Sequence, residues 1–219
     1  MRGVNLTAFF ALVGSSLLIS CSGSAPSLDQ IEWRVIYRDD GGQRYEELSL
    51  FFRISDPDGP EDPTNIEVRA GDTGLLWRFP REEWLTNPQG GKFWWGLPSM
   101  IPLTGQRLPD AIYTIRLEDL AGRYSETTFR PDPSRPAIDE MDWPEISLVD
   151  NVVRIEEPYN EAVVILRDSE YTHLKTLTVS DGMSLDLGEA EWWEAWVILA
   201  DVSRGYRLGP YSLSGTNLQ

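Results

Sequence analysis

The sequence predicts an all-β protein, with two antiparallel β-sandwiches following a signal-like segment and a short tether. Three observations carry this expectation. From Ile31 onward apolar residues alternate with polar ones, which is the period of a half-buried strand. Turn-forming clusters rich in Gly, Pro, Asp and Asn punctuate these runs at intervals of roughly 8 to 12 residues, the spacing of sandwich strands. The stretch Arg130-Pro131-Asp132-Pro133-Ser134-Arg135-Pro136 disfavours both helix and central strand. It divides the body into parts of roughly 100 and 80 residues, each an ordinary sandwich size.

Composition narrows the function classes. The 219 residues include 35 Asp and Glu against 19 Lys and Arg, a formal net charge of -16. That excess repels phosphate backbones and argues against nucleic acid as a partner. The single Cys and single His cannot form an internal disulfide or a zinc site of the usual kind. A hydrophobic fraction of 41% and an aromatic fraction of 11% are too high for a disordered acidic chain.

The first element is residues 1–20. Arg2 is the only charge before Asp29, and an apolar run from Leu6 to Ile19 follows it. The run is shorter than the roughly 20 residues of a transmembrane helix, and a basic start before a short apolar core has the form of a secretory signal. It ends in Leu18-Ile19-Ser20-Cys21, which resembles the lipobox of bacterial lipoproteins. The resemblance implies diacylglyceryl modification of the Cys21 sulfur and cleavage before it, with Leu18, Ile19 and Ser20 read by the signal peptidase. It also implies a lipid-anchored protein of the bacterial cell envelope. Ser22 after the cysteine points to the outer membrane by the sorting pattern of enterobacterial members. Two or three acyl chains anchor stably, whereas one binds only reversibly. Residues 21–29 are small and polar and read as a flexible tether.

Residues 30–130 form the first expected sandwich. Ile31, Trp33, Val35 and Tyr37 define one strand, and Leu48, Leu50, Phe52 and Ile54 another. Ile112 to Leu120 and Arg123 to Phe129 read as a hairpin around Asp119-Leu120-Ala121-Gly122. The segment Asp110-Ala111-Ile112-Tyr113-Thr114-Ile115 resembles the F strand of immunoglobulin-like and fibronectin type III-like domains. The resemblance implies that Tyr113 makes a tyrosine corner and that Ile115 takes the place of the cross-sandwich cysteine.

Residues 131–137 read as a stiff proline-rich linker, and residues 138–219 as a second sandwich of the same kind. Its seven expected strands start near Ile146, Val152, Ala162, Leu174, Met183, Trp192 and Tyr206. Glu189 to Val202 is the best helical stretch, with Trp192 and Trp196 four apart, but its Trp, Val and Ile content favours a strand. A single mixed domain is the alternative architecture.

Candidate site residues fall into three groups. Asp56, Asp58, Glu61 and Asp62 surround Gly59 and offer carboxylate oxygens of the kind calcium takes, although Asp-Pro-Asp-Gly is also simply a strong turn. Trp94 with Trp95, and Trp192 with Trp193, are adjacent pairs on strands, so one ring of each should face outward and could stack on a ligand. Trp33, Trp77 and Trp196 read as core. Carboxylate pairs such as Glu82 with Glu83, or Glu189, Glu191 and Glu194, could be arranged as a glycan hydrolase, but neighbouring acids on a strand point apart. His173, the only imidazole, reads as a partly exposed strand residue. No nucleophile elbow or phosphate loop is present.

The expected function is a non-catalytic binding or spacer role, tethered to the membrane through the lipid on Cys21 and facing an envelope protein or glycan. No other cofactor is expected beyond calcium at the acidic turn. A carbohydrate-binding module and a carboxylate hydrolase are the alternatives.

Overall fold

The computed structural model describes residues 23–89, 92–103, 105–199 and 204–213. The signal segment, Leu18, Ile19, Ser20 and Cys21 lie outside the described residues. The fold is all-β. Its first half contains β1 (Ser27–Asp40), β2 (Gln43–Ser55), β3 (Pro63–Ala70), β4 (Leu75–Pro80), β5 (Leu85–Gln89), β6 (Lys92–Gly96), β7 (Tyr113–Asp119) and β8 (Tyr124–Phe129). Its second half contains β9 (Ile146–Val149), β10 (Val152–Ile155), β11 (Glu161–Arg167), β12 (His173–Ser180), β13 (Trp192–Ile198) and β14 (Arg204–Ser212). Among the described residues no helix is long and apolar enough to cross a membrane.

In the first half, strands β1-β2-β6-β5 face the four-stranded sheet β4-β3-β7-β8 in a sandwich-like arrangement. Alternation decides which side chains meet between the sheets. On β2, Leu48, Leu50 and Phe52 point inward and are wholly buried, as are Ile115 and Leu117 on β7. The β1–β2 hairpin turns on Gly41 and Gly42, both at positive φ, the conformation a two-residue hairpin demands.

The two halves are not separate sheets. The large sheet has eight strands in the order β12-β11-β13-β14-β1-β2-β6-β5. Strand β1 joins them: it pairs antiparallel with β2 along its length and parallel with β14 from Val35↔Arg204 to Asp39↔Leu208. One hydrophobic core therefore runs through both halves, from Phe52 and Ile115 to Tyr206, Trp193 and Val164. Val35, Ile36 and Tyr37 are all buried, as befits a strand covered on both faces.

Three sequence expectations change. β1 begins at Ser27, inside the stretch read as tether, because Ser27 pairs with Ser55. Met183 to Leu187 is no strand. It makes a single bridge, Ser184 to Val152, and then Leu185 drops into the core. The proline-rich stretch forms no strand, yet it is packed down. Arg135 and Pro131 are buried, and Arg135 reaches Glu46 on β2 through two hydrogen bonds of 2.9 Å.

Candidate functional site

A concavity lies where the halves meet. It is an open cleft of about 740 Å³ between the tip of the β1–β2 hairpin, the segment before β9, the β10–β11 connection and the end of β14. Five of its lining residues are acids (Asp39, Asp142, Glu145, Glu156 and Glu157) and two are arginines, Arg44 and Arg154. Trp143, Tyr159 and Tyr211 supply the aromatic wall.

The hairpin end of this cleft is already organised around a cation. Arg44 donates from Nε to Asp39 Oδ2 at 2.8 Å, and its guanidinium lies 4.5 Å from the centre of the Trp143 ring. The backbone N–H of Gly42 donates to the other Asp39 oxygen at 2.8 Å. Trp143 is fixed by its own indole N–H, which donates to Ile138 O at 3.2 Å, and by an edge contact to Tyr206. Burial, followed by the charge of Asp39, pushes the Tyr211 hydroxyl above its ordinary value. The rest of the cleft differs. Asp142, Glu145, Glu156 and Glu157 are exposed and have no ion-pair partner among the described residues.

A second polar assembly covers the opposite face of the large sheet. Glu194 on β13 is fully buried, yet it faces away from Trp193 and Ala195, which enter the core. Gly209 and Pro210 bulge opposite it, between the pairs Trp193↔Tyr211 and Ala195↔Leu208. Its Oε1 accepts from Arg167 Nε at 2.9 Å and from the Tyr171 hydroxyl at 3.2 Å, and its Oε2 accepts from Arg207 Nε at 2.9 Å. Arg207 also lies 3.6 Å from Glu47, which pairs with Arg38 at 3.5 Å. The contacts Arg167–Glu194–Arg207–Glu47–Arg38 thus form a chain of alternating charge over β11, β13, β14, β2 and β1. Burial acts to raise the Glu194 carboxyl, but Arg207 and Arg167 outweigh it and hold the group below the usual glutamate value. Trp196 belongs to this face, under the Arg207 guanidinium at 4.9 Å, and not to the core as its apolar surroundings in sequence suggested.

The acidic turn folds as a charge cluster. Asp56, Asp58 and Asp62 bring carboxylate oxygens within 4.8 Å of one another, while Glu61 does not join them. Arg123 reaches into the group. It contacts Asp58 at 2.7 Å, Asp62 at 3.6 Å and Asp119 through Nε at 2.6 Å. Asp119 also accepts from the backbone N–H groups of Ala121 and Arg123, both at 2.8 Å, closing the β7–β8 turn in which Gly122 has positive φ. Burial acts to raise the Asp119 carboxyl, but these hydrogen bonds and the Arg123 charge hold it below its ordinary value. The guanidinium brings one positive charge to these carboxylates, and Asp56 Oδ2 and Asp62 Oδ2 are buried without a hydrogen-bond partner.

The tryptophan pairs divide unequally. Trp193 is buried on Tyr211, with ring centres 4.9 Å apart, whereas Trp192 is half-buried on the outer face beside Tyr171. Trp94 and Trp95 are both half-buried, and Trp95 is engaged by Trp84 and by Arg81, whose guanidinium lies 3.7 Å from its ring. Trp33 and Trp77 pack against the core, on Phe129 and Tyr113. The Tyr113 hydroxyl donates to Pro109 O at 2.9 Å. His173 is exposed at the start of β12, 2.8 Å from Thr176 Oγ1. Glu82 and Glu83 are exposed on a short 3-10 turn.

The cleft was invisible in the sequence, because its walls come from segments up to about 170 positions apart. The only local signal was the aromatic and acidic content of Asp142-Trp143-Pro144-Glu145 and Glu156-Glu157-Pro158-Tyr159. Fold and site together define an all-β, sandwich-like protein with a polar, aromatic-walled cleft at the junction of its halves. The chain matches no protein-family model, no curated protein and no solved structure.

Proposed function

We propose that this chain is a lipid-anchored, non-catalytic binding protein of the bacterial cell envelope, whose ligand enters the junction cleft. The observation that carries the binding role is the cleft itself. Its volume falls within the roughly 300–1,000 Å³ of ordinary ligand sites, and it sits between two halves, where such sites concentrate. The shared sheet supplies one wall, through Asp39, Arg44, Leu208 and Tyr211. The anchor rests on Leu18-Ile19-Ser20-Cys21 and the signal-like run before it.

Two immunoglobulin-like units, residues 30–130 and 138–219, are the reading of the architecture that goes with this role. It draws support from the partition of the first eight strands into β1-β2-β6-β5 and β4-β3-β7-β8. The reach of Tyr113 back to Pro109, the contact a tyrosine corner makes, also supports it. Glycan binding is a second reading, favoured by Trp192, which is half-buried beside Tyr171 on the outer face.

The anchor and the cleft are tested separately. Cys21→Ala should move the protein from the membrane fraction to the soluble one, and a variant that still pellets with membrane overturns the anchor. A photo-crosslinking residue at Ser147, on the cleft, should capture a ligand in intact cells that the same residue at Thr128 does not. Equal capture at both positions, or none at Ser147, overturns the cleft as the binding site.

A further inference from the structure

We propose that the junction cleft receives the cationic side chains of a basic peptide segment. The inference rests on the reading of the cleft as a binding site, and it names the chemistry of what enters.

Charge is the first argument. The lining carries five acids and two arginines, and one of those arginines, Arg44, is already paired with Asp39 at 2.8 Å. Asp142, Glu145, Glu156 and Glu157 line the open cleft without an ion-pair partner among the described residues, and Arg154 is the one further cation of its lining. Unpaired carboxylates attract a cation and repel an anion. A neutral ligand gains nothing from them.

The second argument is that the molecule already shows how this cleft holds a guanidinium. Arg44 lies over the Trp143 ring at 4.5 Å with a carboxylate in hydrogen-bond contact, the pairing of aromatic face and acid that suits guanidinium and ammonium groups. The other wall has the same ingredients without the cation. Tyr159 is half-buried against Tyr206, and Glu156 and Glu157, with Pro158 between them and the tyrosine, belong to the same lining.

The third argument separates a peptide from a metal ion. Among the described residues the only three acids that converge within 4.8 Å are Asp56, Asp58 and Asp62, which follow the end of the β1–β2 ladder opposite the hairpin tip at this cleft. The cleft carboxylates are instead spread along its walls. Calcium wants six to eight oxygens around one point. Dispersed carboxylates suit several separate positive charges carried on an extended chain.

The test is a fluorescence titration of the full chain with three hexapeptides, in which Gly alternates with Arg, Ser or Asp. Only the Arg peptide should bind saturably. Its affinity should fall by about five- to tenfold in Glu156→Gln/Glu157→Gln, the effect of losing two partly exposed ion pairs. The charge-matched control Glu83→Gln/Glu126→Gln, on exposed acids outside the cleft, should stay within about twofold of the unchanged chain. All four substituted residues are exposed, so folding is not at stake. Equal losses in the two variants would show generic attraction to an acidic protein and overturn the proposal. So would saturable binding of the Ser or Asp peptide, or of a neutral oligosaccharide, at the Ser147 side of the cleft. Failure of the Arg peptide while Ser147 still captures a ligand in cells overturns the cationic assignment and leaves the binding role standing.

Discussion

Arg135 and Glu46 lie 89 positions apart in the chain and meet as a two-pronged ion pair in the interior, at 2.9 Å on each prong. The same guanidinium donates to the backbone oxygens of Leu108 and Asp132, and Leu108 N–H donates to Glu46 Oε2 at 2.8 Å. The proline-rich stretch between the halves is thereby clamped to β2. Its prolines stiffen it, and Arg135 fixes where it lies.

Removing one partner should expose the cost of the other. Arg135→Met leaves the buried Glu46 carboxylate with only Arg107, 3.8 Å away, and the Leu108 N–H, a change expected to cost up to about 3–5 kcal/mol. Glu46→Leu/Arg135→Met should cost less than the sum of the two single changes, because an apolar pair carries no stranded charge. Urea unfolding measures all three. A loss under about 1 kcal/mol for the single Arg135 change would show that the clamp contributes little.

The charge row on the outer face should appear as a pH dependence. Because the folded Glu194 carboxyl is held below its ordinary value of 4.5, its contribution is complete above that value. It fades as the pH falls through the lower folded value. Glu194→Gln should therefore be less stable than the unchanged chain near neutrality, with the gap narrowing as the solution is acidified below about pH 4.5. Thermal melts across pH 3 to 7 read this directly. A gap that stays constant over that range would remove Glu194 from the acid response.

Tyr113 offers a local test. Burial pushes its hydroxyl up to about 12, and burial together with Glu194 does the same for Tyr171. Both should stay protonated in the folded state at a pH where an ordinary tyrosine ionises, so ultraviolet titration should show a delayed phase. Because these values are raised, the stability they contribute is present below the ordinary value of 10.0 and is lost as the pH rises through the folded one. Tyr113→Phe removes the bond to Pro109 O and should cost about 0.5–1.5 kcal/mol. A neutral substitution would mean that the ring, not the hydroxyl, holds the loop.

Arg123 should make the acidic turn insensitive to calcium. With its guanidinium among Asp58, Asp62 and Asp119, calcium and chelator should give the same melting temperature. Arg123→Gln strands those carboxylates, lowers the melting temperature and should let millimolar calcium restore part of it. A clear calcium-dependent rise in the unchanged chain would show instead that the ion displaces the guanidinium.

Neighbouring acids show how far the sequence could be read. Glu46 and Glu47 look like a solvated pair in sequence. Alternation along β2 sends them to opposite faces, and both are buried there, Glu46 against Arg135 and Glu47 between Arg38 and Arg207. The alternation was legible and the burial was not, because the burying groups arrive from distant strands. Trp193 and Trp192 divide in the same way: the pattern sends one inward, and the fold determines what the other meets.

By itself the sequence determined the all-β class, the hairpin at Asp119-Leu120-Ala121-Gly122 and the position of the proline-rich stretch. These follow from side-chain period and turn chemistry, which are local properties of the chain. The tertiary structure alone decided that β1 pairs in parallel with β14, that one core runs through both halves, and that a cleft opens where they meet. Parallel pairing between strands from the two ends of the chain leaves no local signature. Any alternating strand could satisfy those backbone hydrogen bonds, and only the packing of both faces of β1 selects this partner.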